Sequence, residues 1–342
     1  MAHQILPVTA TPEERNEIAA FLAGFVRAGG LLKPRPGDDT PSKWLDRMRW
    51  WWDENPACRP GSPRGFLLRN DDAEVVGFSG LIPFPYESAG EPVPALVTTS
   101  FFVEESHRSA VMGLIARQRE LGRKFHIVDG SASPEMRRLL ERLGYEAGGL
   151  RAQYFFPTRR LGGFPAHALL LARGWTFPVA SSDEVADFRL VTHPSEWHEP
   201  APKGERGIRL DLHNGSLSWL VRSGSEPRRF FGLVDSEDKP VARALGVYKR
   251  HAGLLSCHLL DHRDFHSGGA GLSLLIGKIL RTQGDEGLDP ATSLVILSRF
   301  GHHTSLGMPG HPAGSNLFFH LPPSLQGVEK ECLPIEGDLV LL

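Results

Sequence analysis

The sequence predicts a mixed α+β chain of two tandem, similar domains, each a mainly antiparallel sheet flanked by helices. Three observations lead there. A chain of 342 residues exceeds one ordinary core, at a prior of about 150 residues per domain. An apolar strand, a polar hairpin turn and a second apolar strand occur twice. The first is Arg64-Gly-Phe-Leu-Leu-Arg-Asn-Asp-Asp-Ala-Glu-Val-Val76 and the second Arg229-Phe-Phe-Gly-Leu-Val-Asp-Ser-Glu-Asp-Lys-Pro-Val241. Downstream of each, a strand runs into a small-residue stretch that opens a helix: Arg108-Ser-Ala-Val-Met-Gly113, then His266-Ser-Gly-Gly-Ala-Gly271. The copies keep register to within a few residues, and a long-period repeat fixes domain number and fold class together. The expected division is 1–165 for the first domain, 166–207 for a closing strand and linker, and 208–342 for a decaying second domain.

Thr11-Pro-Glu-Glu reads as an N-cap, a proline in the first turn and acids to match the helix dipole. Ile18, Phe21, Leu22 and Phe25 follow at helical spacing, and Gly29-Gly30 ends the helix. A second helix is expected over 41–53, ending near Asn55-Pro56. Its Trp50-Trp51-Trp52 cannot all face one core, since successive residues point about 100° apart. At least one should reach a cleft or the other domain, where Trp219 holds a comparable place. Strands are expected at 65–69, 74–83 and 95–103, a helix at 109–121, a strand at 125–128 and a helix at 134–143. A further strand, 152–156, belongs to the first domain on this reading, and the apolar run 168–172 suits strand or helix. The second copy gives a helix at 216–222, strands at 229–234, 241–248 and 254–261, a helix at 272–281 and a strand at 294–297. After Phe300 the chain turns Gly-, Pro- and His-rich, without periodicity.

Hydrophobic content of 41%, charged content of 23% and a net charge of −2 suit a soluble globular protein. They give no case for nucleic acid, whose binders carry a concentrated basic face. The N-terminus lacks the basic and apolar regions of a secretory signal, and no apolar stretch nears the ~20 residues that span a bilayer. Cys58, Cys257 and Cys332 are odd in number and widely spaced, without a disulfide or metal-knuckle pattern. The expectation is a cytoplasmic protein with no metal. Zinc spacings, a Gly-x-Ser-x-Gly elbow and a phosphate-binding Gly-x-x-x-x-Gly-Lys loop are missing. Gly269-x-Gly271 is no dinucleotide fingerprint, because Leu274 stands at the third glycine's place.

The element order, with a strand delivering the chain into Val103-Glu-Glu-Ser-His-Arg108-Ser-Ala-Val111-Met-Gly113, resembles the GNAT (GCN5-related N-acetyltransferase) superfamily. Leu139-Leu140-Glu-Arg-Leu-Gly-Tyr145 resembles that family's Leu-Tyr-x-x-Leu-Gly-Phe segment, and the second copy keeps both loop glycines. Valine replaces the family's first glycine at 111, and histidine stands at 266 where Arg or Gln is usual. The resemblance implies an acyl-CoA-dependent N-acyltransferase, using acetyl-CoA or another acyl-CoA on the amine of a small-molecule acceptor. One domain would hold CoA and the other shape the acceptor site. The backbone of Phe102 and Val103 and the loop residues Arg108, Ser109, Ala110, Val111, Met112 and Gly113 would hold CoA. Gly268, Gly269, Ala270 and Gly271 are the second-copy counterpart. The physics of such a loop is anion binding at unpaired N–H groups and the positive end of a helix dipole.

Acyl transfer needs a base for the amine and a proton for the departing thiolate. The family's tyrosine acid falls at Leu140, which cannot donate. Candidate catalytic residues are Glu105, Asp129 and Tyr145; Glu87, Glu104, His258, Asp261, His302 and His303 are further polar groups near a cleft. Alternatives are a catalytically degenerate tandem that binds a ligand or partner, and an aminoacyl- or long-chain acyl-transferring relative.

Overall fold

The computed structural model describes residues 3–30, 35–129, 134–147, 151–161, 163–200, 208–212, 215–222, 227–251, 253–266, 269–300, 311–313, 318–320 and 322–325. The first half runs β1 (Gln4–Pro7), α1 (Pro12–Arg27), α2 (Pro41–Met48), β2 (Gly65–Arg69), β3 (Val75–Ser88), β4 (Glu91–Val103), α3 (Val111–Leu121), β5 (His126–Asp129), α4 (Pro134–Arg142) and β6 (Glu146–Ala147). Then come β7 (Arg151–Pro157), α5 (Gly163–Ala172), β8 (Arg189–Val191) and β9 (Ile208–Leu210). The second half continues with α6 (Ser216–Val221), β10 (Arg228–Val234), β11 (Pro240–His251), β12 (Leu254–Asp264), α7 (Gly271–Arg281), β13 (Thr292–Phe300), β14 (His311–Ala313) and β15 (Phe318–His320).

The strands form two mixed sheets of matching order. One is β1-β2-β3-β4-β5-β15-β6, with β9 added to β3; the other is β8-β10-β11-β12-β13-β7-β14. Among the described strands only β4–β5 and β12–β13 pair in parallel, and each of those pairs is joined by a helix, as a parallel connection requires. The fourth strand of each sheet carries a bulge, opposite the step from Phe78 to Gly80 in the first and from Leu245 to Gly246 in the second.

The Thr11 hydroxyl accepts from the Glu14 amide, so the expected N-cap of α1 is made as read. After α2 the helix widens into a π turn, Arg49–Asp53. All three tryptophans there are buried. Trp50 reaches the other half, but all three rings belong to one continuous core, against the expectation that they cannot face one: the segment is a π turn rather than an α-helix, and that core is built from both halves. Trp50 Nε1 donates to the Trp219 carbonyl at 3.0 Å, and Trp219 Nε1 donates to the Trp50 carbonyl at 2.8 Å. The two indoles stack at 4.8 Å. The pair sits inside a core that draws Leu22, Met48 and Phe78 from the first half and Leu220, Phe230 and Val247 from the second. The halves therefore share a core rather than meet across a polar linker.

Strand pairing crosses the boundaries expected at 165 and 207. The 152–156 strand forms, but it pairs with β13 in the second sheet rather than closing the first. Its inward residues decide this: Tyr154 and Phe156, two apart and so on one face, are buried with Phe231, Leu259 and Val295. In exchange, β15 enters the first sheet between β5 and β6. The region expected to hold a closing strand of the first domain instead holds α5 and β8, and β8 pairs with β10 in the second sheet. The stretch read as irregular after Phe300 includes that exchanged strand. No helix among the described residues is long and apolar enough to cross a membrane.

Candidate active site

Pairing of β4 with β5 stops at Val97–Val128. Beyond it, β4 runs on to Val103 with no strand on its β5 side among the described residues. The open edge thus begins at Thr98, whose hydroxyl donates to Asp129 Oδ2 at 2.9 Å and ties the two strands where they part. Polar side chains are buried in the strands around this edge. Ser79, Thr98, Thr99 and Ser100 are buried, and Gln118 of α3 donates to Ser79 Oγ at 2.5 Å. Ser100 has φ +50, a left-handed conformation uncommon for a residue with a side chain. Strain of this kind collects at functional sites, where surrounding structure enforces it.

The Asp129 charge acts on Tyr145. Burial pushes the Tyr145 phenol up to about 12, with the Asp129 charge adding to the rise and Arg119 opposing it. Tyr145 lies in a small cluster with Leu81, Leu96, Ile127 and Leu140. Its other neighbour carries no local signal: the imidazole of His320, from the exchanged strand, stands with its ring 5.2 Å from that of Tyr145. A three-residue strand in aperiodic sequence offers nothing to read.

The third catalytic candidate lies apart. Residues Glu105–Ala110 form a 3-10 turn leading into α3 rather than an open loop. Glu105 is 86% exposed there, beside Arg108 at 3.6 Å. Arg108, Ser109 and Met112 face solvent, whereas Ala110 and Val111 are half-buried against the cluster holding Val103. Phe102 packs on Phe25 at 4.9 Å. Gly113 has a packing reason of its own: a Cβ there would lie 2.6 Å from Ile5 Cδ1, so β1 lies over the first turn of α3. Glu87 is buried on β3, and Glu104 is exposed in a groove with Glu74, Asn70 and His107.

The corresponding corner of the second half is filled. Asp264 Oδ1 accepts from the His266 amide at 2.9 Å, and Oδ2 accepts from the Leu272 amide at 3.2 Å, in the first turn of α7. A Cβ on Gly271 would lie 2.3 Å from that carboxylate. Gly269 has φ +69, which its lack of a side chain permits, and Ala270 sits at the helix cap. Gly268, His302 and His303 lie outside the described residues. Asp261, a candidate base, is instead an ion-pair partner: with Glu199 it flanks the buried Arg243, and Arg263 adds a contact to Glu199 at 3.4 Å. His258 Nε2 bonds Ser256 Oγ at 3.0 Å. Among the described residues no group of three His, Cys, Asp or Glu is placed to hold a metal.

These sheets, each with one parallel pair, match solved structures along nearly the whole chain. A GCN5-related N-acetyltransferase from Anabaena variabilis aligns at 14% identity and TM-score 0.56, covering 92% of this chain and 72% of that one. The fold is that of the GNAT acyltransferases. A conserved protein of Enterococcus faecalis described as a probable N-acyltransferase shares this GNAT fold at 11% identity and TM-score 0.55, over 94% of this chain and 73% of that one. Eis1 from Mycobacterium abscessus does so at 13% identity and TM-score 0.52, with the same two coverages of 94% and 73%. No protein-family model and no curated protein matches the chain. The GNAT likeness thus rests on architecture.

Proposed function

We propose that the chain transfers an acyl group from an acyl-CoA, in the simplest case acetyl-CoA, to the amine of a small-molecule acceptor, and that the first half holds the reaction. The observation that carries this is the open edge of β4 beyond Val97, with Asp129 bonded to Thr98 at its apex and Tyr145 within reach of the Asp129 charge. An extended pantetheine arm fits such an edge, because unpaired strand N–H and C=O groups near Phe102 and Val103 accept a partner that is itself extended. The turn from Arg108 to Gly113 is the place for the phosphates. In the second half the chain's own carboxylate, Asp264, stands at the equivalent helix start and disfavours a second anion. Asp129 suits the role of base toward the attacking amine and Tyr145 that of acid toward the leaving sulfur. The second half, sharing the core around Trp50 and Trp219, shapes the acceptor side. We further propose that the two halves are copies of one unit.

A second reading, a binding protein without turnover, is favoured by one observation: Leu140 occupies the place of the family's tyrosine and is buried among apolar neighbours. Melting curves with acetyl-CoA, longer acyl-CoAs and free CoA separate the possibilities. A ligand present at 100 times its Kd stabilises by about 2.7 kcal/mol. A shift with acyl-CoA together with thiol release in the presence of primary amines supports the transferase. A shift with no thiol release supports the binder, and no shift with any of the ligands refutes both forms of the CoA reading.

A further inference from the structure

The second half contributes a side chain to the site in the first. We propose that His320, carried between β5 and β6 by the exchanged strand β15, is a positioning residue for acyl transfer: its imidazolium, beside the Tyr145 ring, makes the Tyr145 hydroxyl a competent donor to the departing thiolate. The proposal rests on the acyl-CoA reading above.

The geometry is specific. His320 pairs with Ile127, two residues before Asp129 on β5, so its side chain leaves the sheet on the same face as Ile127, the face of the Tyr145 cluster. Its ring lies 5.2 Å from that of Tyr145 at 32°. A Cβ on Gly122, at the end of α3, would lie 2.1 Å from His320 Cδ2, so the absence of a side chain at 122 is what admits the imidazole. The charged groups acting on Tyr145 are Asp129 from β5 and Arg119 from α3, to which β15 adds His320.

The chemical need is equally specific. Burial and Asp129 hold the phenol at about 12, a poor proton donor to an alkyl thiolate, whose conjugate acid lies lower. A unit positive charge about 5 Å from the phenol ring, at an effective dielectric of about 20, lowers a phenol by about two pH units. Histidine is the side chain whose ordinary charge change falls near neutrality. The step balances without an outside reagent. The amine nitrogen bonds the thioester carbon, the C–S bond breaks, and the sulfur takes the Tyr145 proton. The proton lost by the amine passes to Asp129 and returns to the phenolate.

Two measurements test this. In protein labelled at tyrosine Cζ, the Tyr145 signal is one of four tyrosines and is assigned by its loss in Tyr145→Phe. It should show a step near neutral pH as His320 ionises, absent in His320→Gln. Thiol release from acetyl-CoA with primary-amine probes should fall as pH rises through neutrality in the native protein. It should drop about tenfold in His320→Gln, since roughly half of a two-unit change in acidity appears in the rate. His320→Lys, with its charge retained at neutral pH, should restore most of the rate and flatten the profile. Each variant's melting shift with CoA reports that fold and cofactor binding survive. A native Tyr145 signal with no step near neutrality overturns the proposal, as does a His320→Gln rate within twofold of native. Should the variants fail to fold, the native Tyr145 titration decides alone. Should native protein show no CoA shift, the acyl-CoA reading falls and the catalytic role falls with it, whereas a flat Tyr145 titration beside a normal CoA shift removes only His320.

Discussion

The two strand-to-helix corners differ in what stands at the helix start, and the same contrast runs inward from them. In the second half Asp264 caps α7, and the strands behind it carry a buried ionic network of Arg243, Asp261, Glu199 and Arg263. In the first half Glu104, the residue at the same distance ahead of α3, is exposed, and the interior behind it holds neutral hydroxyls and an amide. The second half sets buried charges against one another, whereas the first pairs neutral hydroxyls and an amide beside the edge that β5 leaves open. The two sheets match in strand order while their polar interiors differ.

The sharpest way to break this comparison is to remove the centre of the second-half network. Arg243→Ala leaves two buried carboxylates without their cation and should lower the unfolding free energy by about 3–5 kcal/mol, read from urea titration. A small loss would mean that the network is not structural. Its two carboxylates shift in opposite senses: burial raises Asp261, so loss of stability on the acid side belongs to Glu199. Burial alone would raise that carboxyl, but Arg243, the Trp197 indole and Arg263 outweigh burial and hold it below the usual range. A carboxylate depressed on folding contributes stability above its unfolded value of about 4.3 and loses it as pH falls through the lower folded value. Stability should therefore decline from pH 5 downward, and Glu199→Gln should flatten that decline. An equal decline in the variant would assign it to other carboxylates.

Much of the scaffold was legible because its signals are local. The Thr11 cap, the Asn70 and Asp235 turns and the alternating strands around them each lie within one short window, and all appear as read. What escaped is non-local. Nothing in Arg151–Pro157 says which sheet it joins; that is decided by Phe231 and Val295 far along the chain. β1 and β15 are too short for periodicity, and each is stabilised by what it lies against, Ile5 over Gly113 and His320 over Gly122. The candidate site divides in the same way. Asp129 and Tyr145 stand at element ends marked in the sequence, Asp129 tied to Thr98 where β4 and β5 part and Tyr145 under the influence of its charge, whereas His320 was unreadable and Glu105, read as a candidate from its position alone, faces solvent.

A smaller effect sharpens the contrast at the corners themselves. Asp264→Ala removes the carboxylate from the start of α7 and should cost about 1 kcal/mol, as loss of an N-cap does. At this chain length that is a melting shift of a few degrees at most. The stabilisation by CoA should be unchanged. If it grew instead, the vacated corner of the second half would be receiving the phosphates, and the assignment of the reaction to the first half would fail.

The smallest expected effect concerns Glu105, and its value lies in being small. The side chain is exposed and its contact with Arg108 is loose, a class of pair worth about 0–1 kcal/mol. Glu105→Gln should leave stability within about 0.5 kcal/mol of native and leave thiol release unchanged. Asp129→Asn, at the apex of the opening, should lower release by about 100-fold or more, the range of a positioned acid or base. The pair of variants separates two uses of the first corner. If Glu105→Gln slowed release as much as Asp129→Asn, with CoA stabilisation intact, the base would sit on the turn that enters α3. The exposed carboxylates of that corner would then be its chemistry, the first-half counterpart of what Asp264 does for structure in the second.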